Sequence, residues 1–457
     1  MREPPLLMAT QHPDSTVKVS VQEEVGEAIQ AYTLFGCDEV MVDYEGKLTP
    51  YAQPKEIVCK AVELGLPVGE KFFLTPRLPN PTLEEWERTM LSLEAALLAN
   101  YYSRRLAGAD AVKWVVLPMV EDVDTARLVR RVLERKTAVY REELETPSPP
   151  AQLVPLLEDI RALLEAERYA KAVAAGGEVR VFLGKSDAAV KSGHVASSLA
   201  LAYALSELDR LEREEGVKAY PILGMGAPPF RGGLNNSSLA QIEARQYSGY
   251  WTATVQSAAR YDATYGEFLK VREAVKSGAS GKPREVGPEA VELARRAESS
   301  YRALVARYLG AVGRVAQHVP QTRERVPWRE YGRALKLDDR LLSVPRAIVF
   351  TAAWYTLGVP PTLLDAPFIV ELSERGRLDE LHDLLPALRL EWEYDARLYV
   401  PGVARRRLGD ELVEVVNRAL DAMGVQAEPD DTYARTLALN PVEEQVIAAA
   451  RLRGFLG

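Results

Sequence analysis

The sequence predicts an α/β fold, a closed TIM-type (β/α)8 barrel of parallel strands with additional helices gathered mainly toward its carboxy-terminal part. Three observations predict it. Short β-branched or aromatic runs alternate with long amphipathic segments, the order expected of βα units. A polar residue with chemical potential follows each of several runs, as it does where strands end at one mouth. The carboxy-terminal part of the chain reads as mostly helix.

The strand-like runs are 39–42, 72–74, 114–117, 181–183 and 222–224, followed by Asp43, Arg77, Glu121, Asp187 and Arg231. The helix-like stretches are 82–106, 123–142, 153–174 and 195–214, then 289–315 and 405–423. Thr82 precedes Glu85 by three residues, a capping-box spacing that starts a helix shortly after Arg77. Residues 146–150 (Thr-Pro-Ser-Pro-Pro) connect the second and third of these helices, since three prolines remove N–H donors and fix φ. Residues 276–283, rich in Gly and Ser, read as a surface loop rather than a lid. There is no internal repeat, and the whole chain, 1–457, reads as one barrel with a helix-rich region from about 285 to 457.

Composition excludes some roles. With 457 residues, 47% hydrophobic, the chain can bury a large core. A net charge of -8 and a pI near 5.4 argue against nucleic acid or an anionic membrane as main partner. Cys37 and Cys59 supply neither a disulfide framework nor a zinc set, as expected in a reducing, cytoplasmic setting. Residues 1–8 hold too short an apolar run for a signal peptide, and no uninterrupted stretch is long enough to span a bilayer.

The candidate site is a metal and anion site. Glu121 and Asp187 are hard oxygen ligands suited to Mg²⁺ or Mn²⁺, and each alone reads equally as the cap of a following helix. Arg77, Arg231 and Arg346 offer planar forks for phosphate or carboxylate, although most arginines are solvated surface charges. Arg231 stands apart because Gly232 and Gly233 follow it and let the backbone approach a ligand with free N–H groups. His12 is one of four histidines, and Pro13 biases it toward extended conformations. His194, His318 and His382 read as structural. The segment Asp43-Tyr44-Glu45-Gly46-Lys47 reads either as a layer that orients metal-bound water or an arginine, or as a turn with a local ion pair.

Seven motifs in common order carry a resemblance that runs over most of the chain. They are Thr10-Gln11-His12-Pro13-Asp14, Val42-Asp43-Tyr44-Glu45-Gly46-Lys47, Leu74-Thr75-Pro76-Arg77, Leu117-Pro118-Met119-Val120-Glu121, Leu183-Gly184-Lys185-Ser186-Asp187, Phe230-Arg231-Gly232-Gly233 and Pro345-Arg346-Ala347-Ile348. With these the sequence resembles the phosphoenolpyruvate carboxylase family, in its short archaeal-type branch. The resemblance implies a barrel of the phosphoenolpyruvate/pyruvate kind, a homotetramer, and carboxylation of phosphoenolpyruvate with bicarbonate to oxaloacetate and phosphate. It implies Glu121 and Asp187 as ligands of Mg²⁺ or Mn²⁺, and Arg231, Arg346 and Arg77 around the phosphoryl group. Gly232 and Gly233 would lie against the substrate, and His12 would take the proton of carboxyphosphate; excluding water from the enolate calls for a closing Gly-rich loop, for which Gly232-Gly233 is one candidate.

The sequence also departs from the family pattern. Lys191 comes four residues after Asp187, where the large bacterial enzymes have a lysine three after, which leaves its role open. Residues 439–457 do not match the family's effector-binding segment, which leaves regulation open. Two other readings compete. A metal-dependent lyase or aldolase on a related barrel, acting on a 2-oxo acid, would not need several arginines or the His12 segment. A non-enzymatic descendant would be expected to have lost one of Glu121, Asp187, Arg231 or His12.

Overall fold

The computed structural model describes residues 3–279, 281–324, 334–337 and 340–457. Eight strands close a parallel barrel in sequence order: β1 Leu7–Ala9, β2 Glu39–Asp43, β3 Phe73–Arg77, β4 Trp114–Leu117, β5 Gln152–Leu157, β6 Glu178–Gly184, β7 Lys218–Gly224 and β8 Thr252–Val255. Each pairs with the next, and β8 returns to β1 with Ala253 opposite Leu7. Closure removes both sheet edges, so every strand is hydrogen-bonded on two sides.

The barrel interior holds Met8, Met41, Phe73, Trp114, Val116, Val154, Leu156, Phe182 and Ile222 as one buried apolar cluster. Toward the strands' amino-terminal ends a charged plug sits among them. Arg180 of β6 donates from both Nη atoms to Glu39 of β2 at 3.0 and 2.9 Å and to Thr252 of β8 at 2.9 Å. Its guanidinium carbon lies 4.4 Å from the centre of the Trp114 ring. A fully desolvated pair of this kind persists only where partners meet the charge, here the two Glu39 oxygens, Thr252 and the Trp114 ring for the guanidinium.

Several helices match the sequence expectation closely. Asp122 caps Val123–Glu143 by accepting the N–H groups of Asp124 and Thr125, a contribution of about 1 kcal/mol. The helix expected over 195–214 runs His194–Glu215 and ends on Gly216 in the left-handed conformation.

Other expectations are corrected. The stretch 153–174 is not one helix. It is β5, then helices Ile160–Leu164 and Ala166–Val173, and Pro155 sits where a helix would need its N–H. Thr82 does not cap a helix: its hydroxyl bonds Asn80 Oδ1 at 2.8 Å, and the helix begins after Glu85 as Trp86–Ala107. Residues 276–279 are not loop but the last turn of helix Tyr265–Ala279. Gly278 is needed there, because a Cβ would meet the Tyr250 hydroxyl at 2.5 Å; Ser280 lies outside the described residues.

Beyond the barrel the described residues are mainly helical, apart from an antiparallel pair of strands, Ala334–Leu337 with Arg340–Ser343. The expected 289–315 helix breaks into Glu289–Ala306 and Leu309–Ala316, and 405–423 into Pro401–Leu408 and Asp410–Met423 on either side of Gly409. One buried apolar cluster runs continuously from Leu7 in β1 to Val425 in these helices. Among the described residues no single helix is long and apolar enough to cross a membrane.

Candidate active site

The carboxyl ends of the strands surround one pocket. Its wall includes Gln11, Pro13 and Asp14 after β1, Asp43 of β2, Arg77 of β3, Glu158 after β5, Ser186 and Asp187 after β6, Arg231 after β7 and Gln256 after β8. Arg346 and Ala347, at the start of helix Ala347–Leu357, close it from the helical region. Met41, Leu156 and Phe182 make its apolar floor.

Four carboxylates line this pocket: Asp14 and Asp43, paired with Arg231 and Arg77, and then Asp187 and Glu158, of which the last differs from the sequence expectation. Asp187, in the first turn of helix Lys185–Ser192, lines it and is 7% exposed. Glu121 does not line it. The segment 118–120 carries Glu121 away from the end of β4, its side chain is 72% exposed, and its nearest charge is Lys191 Nζ at 3.8 Å. Glu158 stands in the pocket instead; it follows the last residue of β5 and is 8% exposed. Two features hold it in place. Met119, at a left-handed φ of 48°, donates its N–H to Glu158 Oε2 at 3.2 Å. Gly184 leaves the room, since a Cβ there would meet Glu158 Cγ at 2.9 Å. Lys191 is thereby accounted for: it is buried, pairs with Glu121, and stands 4.0 Å from Asp159.

Three arginines reach the pocket. Arg77 is held by Asp43 at 2.8 and 2.7 Å and by Glu45 at 2.7 Å, and Lys47 sits 2.5 Å from the same Asp43. Burial works to raise the Asp43 pKa, but Arg77 and Lys47 outweigh it and hold the carboxyl well below its ordinary range. The acidic segment around Asp43 therefore orients an arginine. Arg231 is 3% exposed and spans the mouth, donating to Ser186 Oγ at 3.1 Å, to Asp14 at 3.3 Å, to Gln256 at 3.4 Å and to the main-chain oxygen of Gly457. Gly226 gives it space, because a Cβ there would lie 3.1 Å from the guanidinium carbon.

Gly232 and Gly233 do not approach the pocket as expected. Their N–H groups are spent on Pro229 and Pro228 carbonyls at 2.7 and 3.0 Å, within a tight turn over Pro229–Arg231. Both adopt positive φ, 106° and 63°, and added Cβ atoms would strike Met225 at 2.6 Å and Glu243 at 2.9 Å. They aim Arg231 and are packed too tightly for a closing loop.

His12 is buried beside the pocket, while its neighbours Gln11, Pro13 and Asp14 line it. The segment is pinned on both sides. Thr10 N–H bonds Val255 O at 3.1 Å, Asp14 N–H bonds Ser257 Oγ at 3.1 Å, and Asp262 accepts from Ser15 and Thr16. His194 is structural: its Nε2 meets Glu391 at 2.9 Å, deep among the helices, and burial lowers its pKa. His318 and His382 lie outside the pocket as well.

A (β/α)8 barrel that gathers four carboxylates and two arginines at the carboxyl ends of its strands, with a third arginine closing from the helical region, defines a class: enzymes acting on a multiply charged anion beside a divalent cation. The particular family is given by comparison. A family model described as phosphoenolpyruvate carboxylase matches residues 5–457, and the chain belongs to that family, in its short archaeal-type branch. A phosphoenolpyruvate carboxylase of Pyrobaculum islandicum is 51% identical, covering 99% of this chain and 100% of that protein. One of Thermofilum pendens is 55% identical over 100% of both chains. One of Methanosarcina barkeri is 30% identical, covering 94% of this chain and 90% of the relative.

Proposed function

We propose that this chain carboxylates phosphoenolpyruvate with bicarbonate to give oxaloacetate and phosphate, in the cytoplasm and as a homotetramer, as its family does. The observation that carries the reading is the convergence of Glu158, Asp187, Arg77, Arg231 and Arg346 on one pocket from five separate elements. A trianion and a bicarbonate meet only where their repulsion is offset, which is what this charge set does.

The residues fit a divalent ion. Glu158 and Asp187 are hard oxygen donors, and among the described residues no three His, Cys, Asp or Glu gather into a ready-made cage. An ion held there would keep water and take substrate oxygen, the habit of Mg²⁺ and one open to Mn²⁺. When bound, it supplies Lewis-acid stabilisation of the enolate oxygen.

Arg231, Arg346 and Arg77, the last fixed by Asp43, bind and orient the phosphoryl group and offset its charge. A bicarbonate oxygen attacks phosphorus, the bond from phosphorus to the enol oxygen breaks, and its electron pair passes to that oxygen. His12 then accepts the hydroxyl proton of carboxyphosphate, its carbon–oxygen bond to the phosphoryl group breaks, and carbon dioxide and phosphate separate. The methylene carbon of the enolate closes on carbon dioxide, and the proton on His12 passes to phosphate. Leu156, Phe182 and Met41 line the apolar floor, which keeps water from protonating the enolate to pyruvate. The test is an oxaloacetate assay with phosphoenolpyruvate, bicarbonate and Mg²⁺ or Mn²⁺, each omitted in turn. Oxaloacetate formed without bicarbonate would overturn the reading and favour a lyase acting on a 2-oxo acid.

A further inference from the structure

His12 is gripped by a buried charge cluster that the substrate pocket does not include. Its Nδ1 lies 2.8 Å from Glu27 Oε2, with the two side chains 6% and 5% exposed. Its ring stacks on Tyr261 at 4.5 Å and 19°. Glu27, on helix Glu24–Thr33, comes from a different element and is itself fixed from two directions. Arg260 Nη2 meets Oε1 at 2.9 Å, and Arg323 Nη2 meets Oε2 at 3.2 Å.

The same two guanidinium groups also hold the main chain at the histidine. Arg323 Nε donates to the His12 carbonyl at 2.6 Å, and Arg260 Nη2 donates to the Thr10 carbonyl. Arg260 and Tyr261 project from a π-helical turn over Ala258–Asp262, directly after β8, a wide turn common at functional sites. Glu24 pairs with the far side of Arg323, so the cluster holds two carboxylates against two guanidinium groups. The neighbouring Cys37 and Tyr261 are both pushed up to about 12 by burial and stay neutral. Burial works to raise the Glu27 pKa, but His12 and Arg260 outweigh it and keep the carboxyl below its ordinary value, so it is ionised.

We propose that Glu27 is the positioning residue of His12, an assignment that rests on the reading of His12 as the proton acceptor. With its charge 2.8 Å from Nδ1, Glu27 favours the tautomer that carries the proton there and leaves the lone pair on Nε2, the nitrogen left for carboxyphosphate. Its charge then steadies the imidazolium that forms when Nε2 takes that proton. Arg260 and Arg323 keep the carboxylate from rotating and tie it to the histidine's own backbone. The arrangement is a carboxylate–histidine–acceptor relay in which the carboxylate touches neither substrate nor metal and never gains the proton.

The experiment compares Glu27→Gln, Glu27→Asp and His12→Asn as purified full chains, following phosphate, pyruvate and oxaloacetate together. A glutamine can donate its amide to Nδ1 and so move the ring proton to Nε2, the wrong tautomer. Glu27→Gln should therefore still release phosphate while oxaloacetate formation falls about 10²- to 10⁴-fold. Pyruvate should take its place, and the KM for phosphoenolpyruvate should stay within about twofold. Glu27→Asp, which keeps the charge one methylene further away, should recover part of the oxaloacetate.

A purely structural Glu27 would lower the melting temperature and the active fraction but leave the ratio of oxaloacetate to pyruvate at the parent value, which overturns the proposal. Should Glu27→Gln fail to fold, Glu27→Asp carries the test alone: a ratio shifted toward pyruvate supports the proposal, and a parent ratio overturns it. His12→Asn separates the two levels. Parent oxaloacetate from His12→Asn removes the reading of His12 itself, whereas pyruvate from His12→Asn with a parent ratio from Glu27→Gln removes only the role of Glu27.

Discussion

Asp43 and Arg77 stand opposite each other in register, as the last residues of β2 and β3, and their side chains close a two-pronged ion pair at 2.8 and 2.7 Å. The pairing of strands thus delivers an arginine to the substrate pocket already aimed. Removing its counter-charge should be costly, because Arg77 and Lys47 would then share too little negative charge in a buried site. Asp43→Asn is expected to lower unfolding free energy by about 3 kcal/mol. A urea midpoint equal to the parent's, at equal slope, would count against this account.

Glu158→Gln and Asp187→Asn should each reduce carboxylation at least about 100-fold and weaken metal binding, with thermal melting near the parent value. Glu121→Ala should stay within about twofold in both measures, since that side chain is exposed and lies off the pocket. Metal titrations followed by oxaloacetate formation decide between the two carboxylates.

Arg231→Lys keeps the charge but loses the fork that spans Ser186, Asp14 and Gln256. A fall in kcat/KM of about 10²- to 10³-fold is expected. Near-parent turnover would place the phosphoryl group elsewhere in the mouth.

His12→Asn should release phosphate from phosphoenolpyruvate in a bicarbonate-dependent way and yield pyruvate in place of oxaloacetate. A variant that folds and binds substrate but releases no phosphate would assign His12 to the earlier, phosphoryl-transfer step.

Asp395 is fully buried, accepts the Tyr355 hydroxyl at 2.7 Å, and has its carboxyl pushed up to about 7 by burial. Folding therefore favours its protonated form. That stabilisation is whole below about pH 4, where the unfolded carboxyl also carries its proton, and is lost as pH rises through about 7. Asp395→Asn stays neutral and escapes this loss. Its melting temperature relative to the parent should accordingly rise between pH 5 and pH 8.5, and a flat difference would show that the carboxyl titrates as it does in water.

Much of the barrel is legible where a strand is long, apolar and bounded by a turn. The runs behind β2, β3, β4, β6 and β7 are of this kind, and the residues after four of them line the mouth. β1 spans only three residues, and β8 reads Thr-Ala-Thr-Val, which makes no apolar run like that of the equally short β4. β5 was hidden for a different reason. Leu153, Val154, Leu156 and Leu157 run almost directly into the amphipathic helices from Ile160, so one apolar period covers both elements. Glu158 was lost with it, and Glu121, which follows a strand that could be seen, took its place; Pro155 was the available signal against helix. The grip of Glu27, Arg260 and Arg323 on His12 is illegible in sequence because it joins three distant segments that only barrel closure brings together.

Below the pocket, Glu39, Arg180, Thr252 and Trp114 fill the axis, so that among the described residues the floor of the pocket is closed by side chains. A small neutral molecule set free beside Glu158 and Asp187 cannot drain through the base. It either reacts or leaves past Arg231 and the Arg346–Ile348 turn. Yield per turnover is then a contest between capture and leakage at that lip.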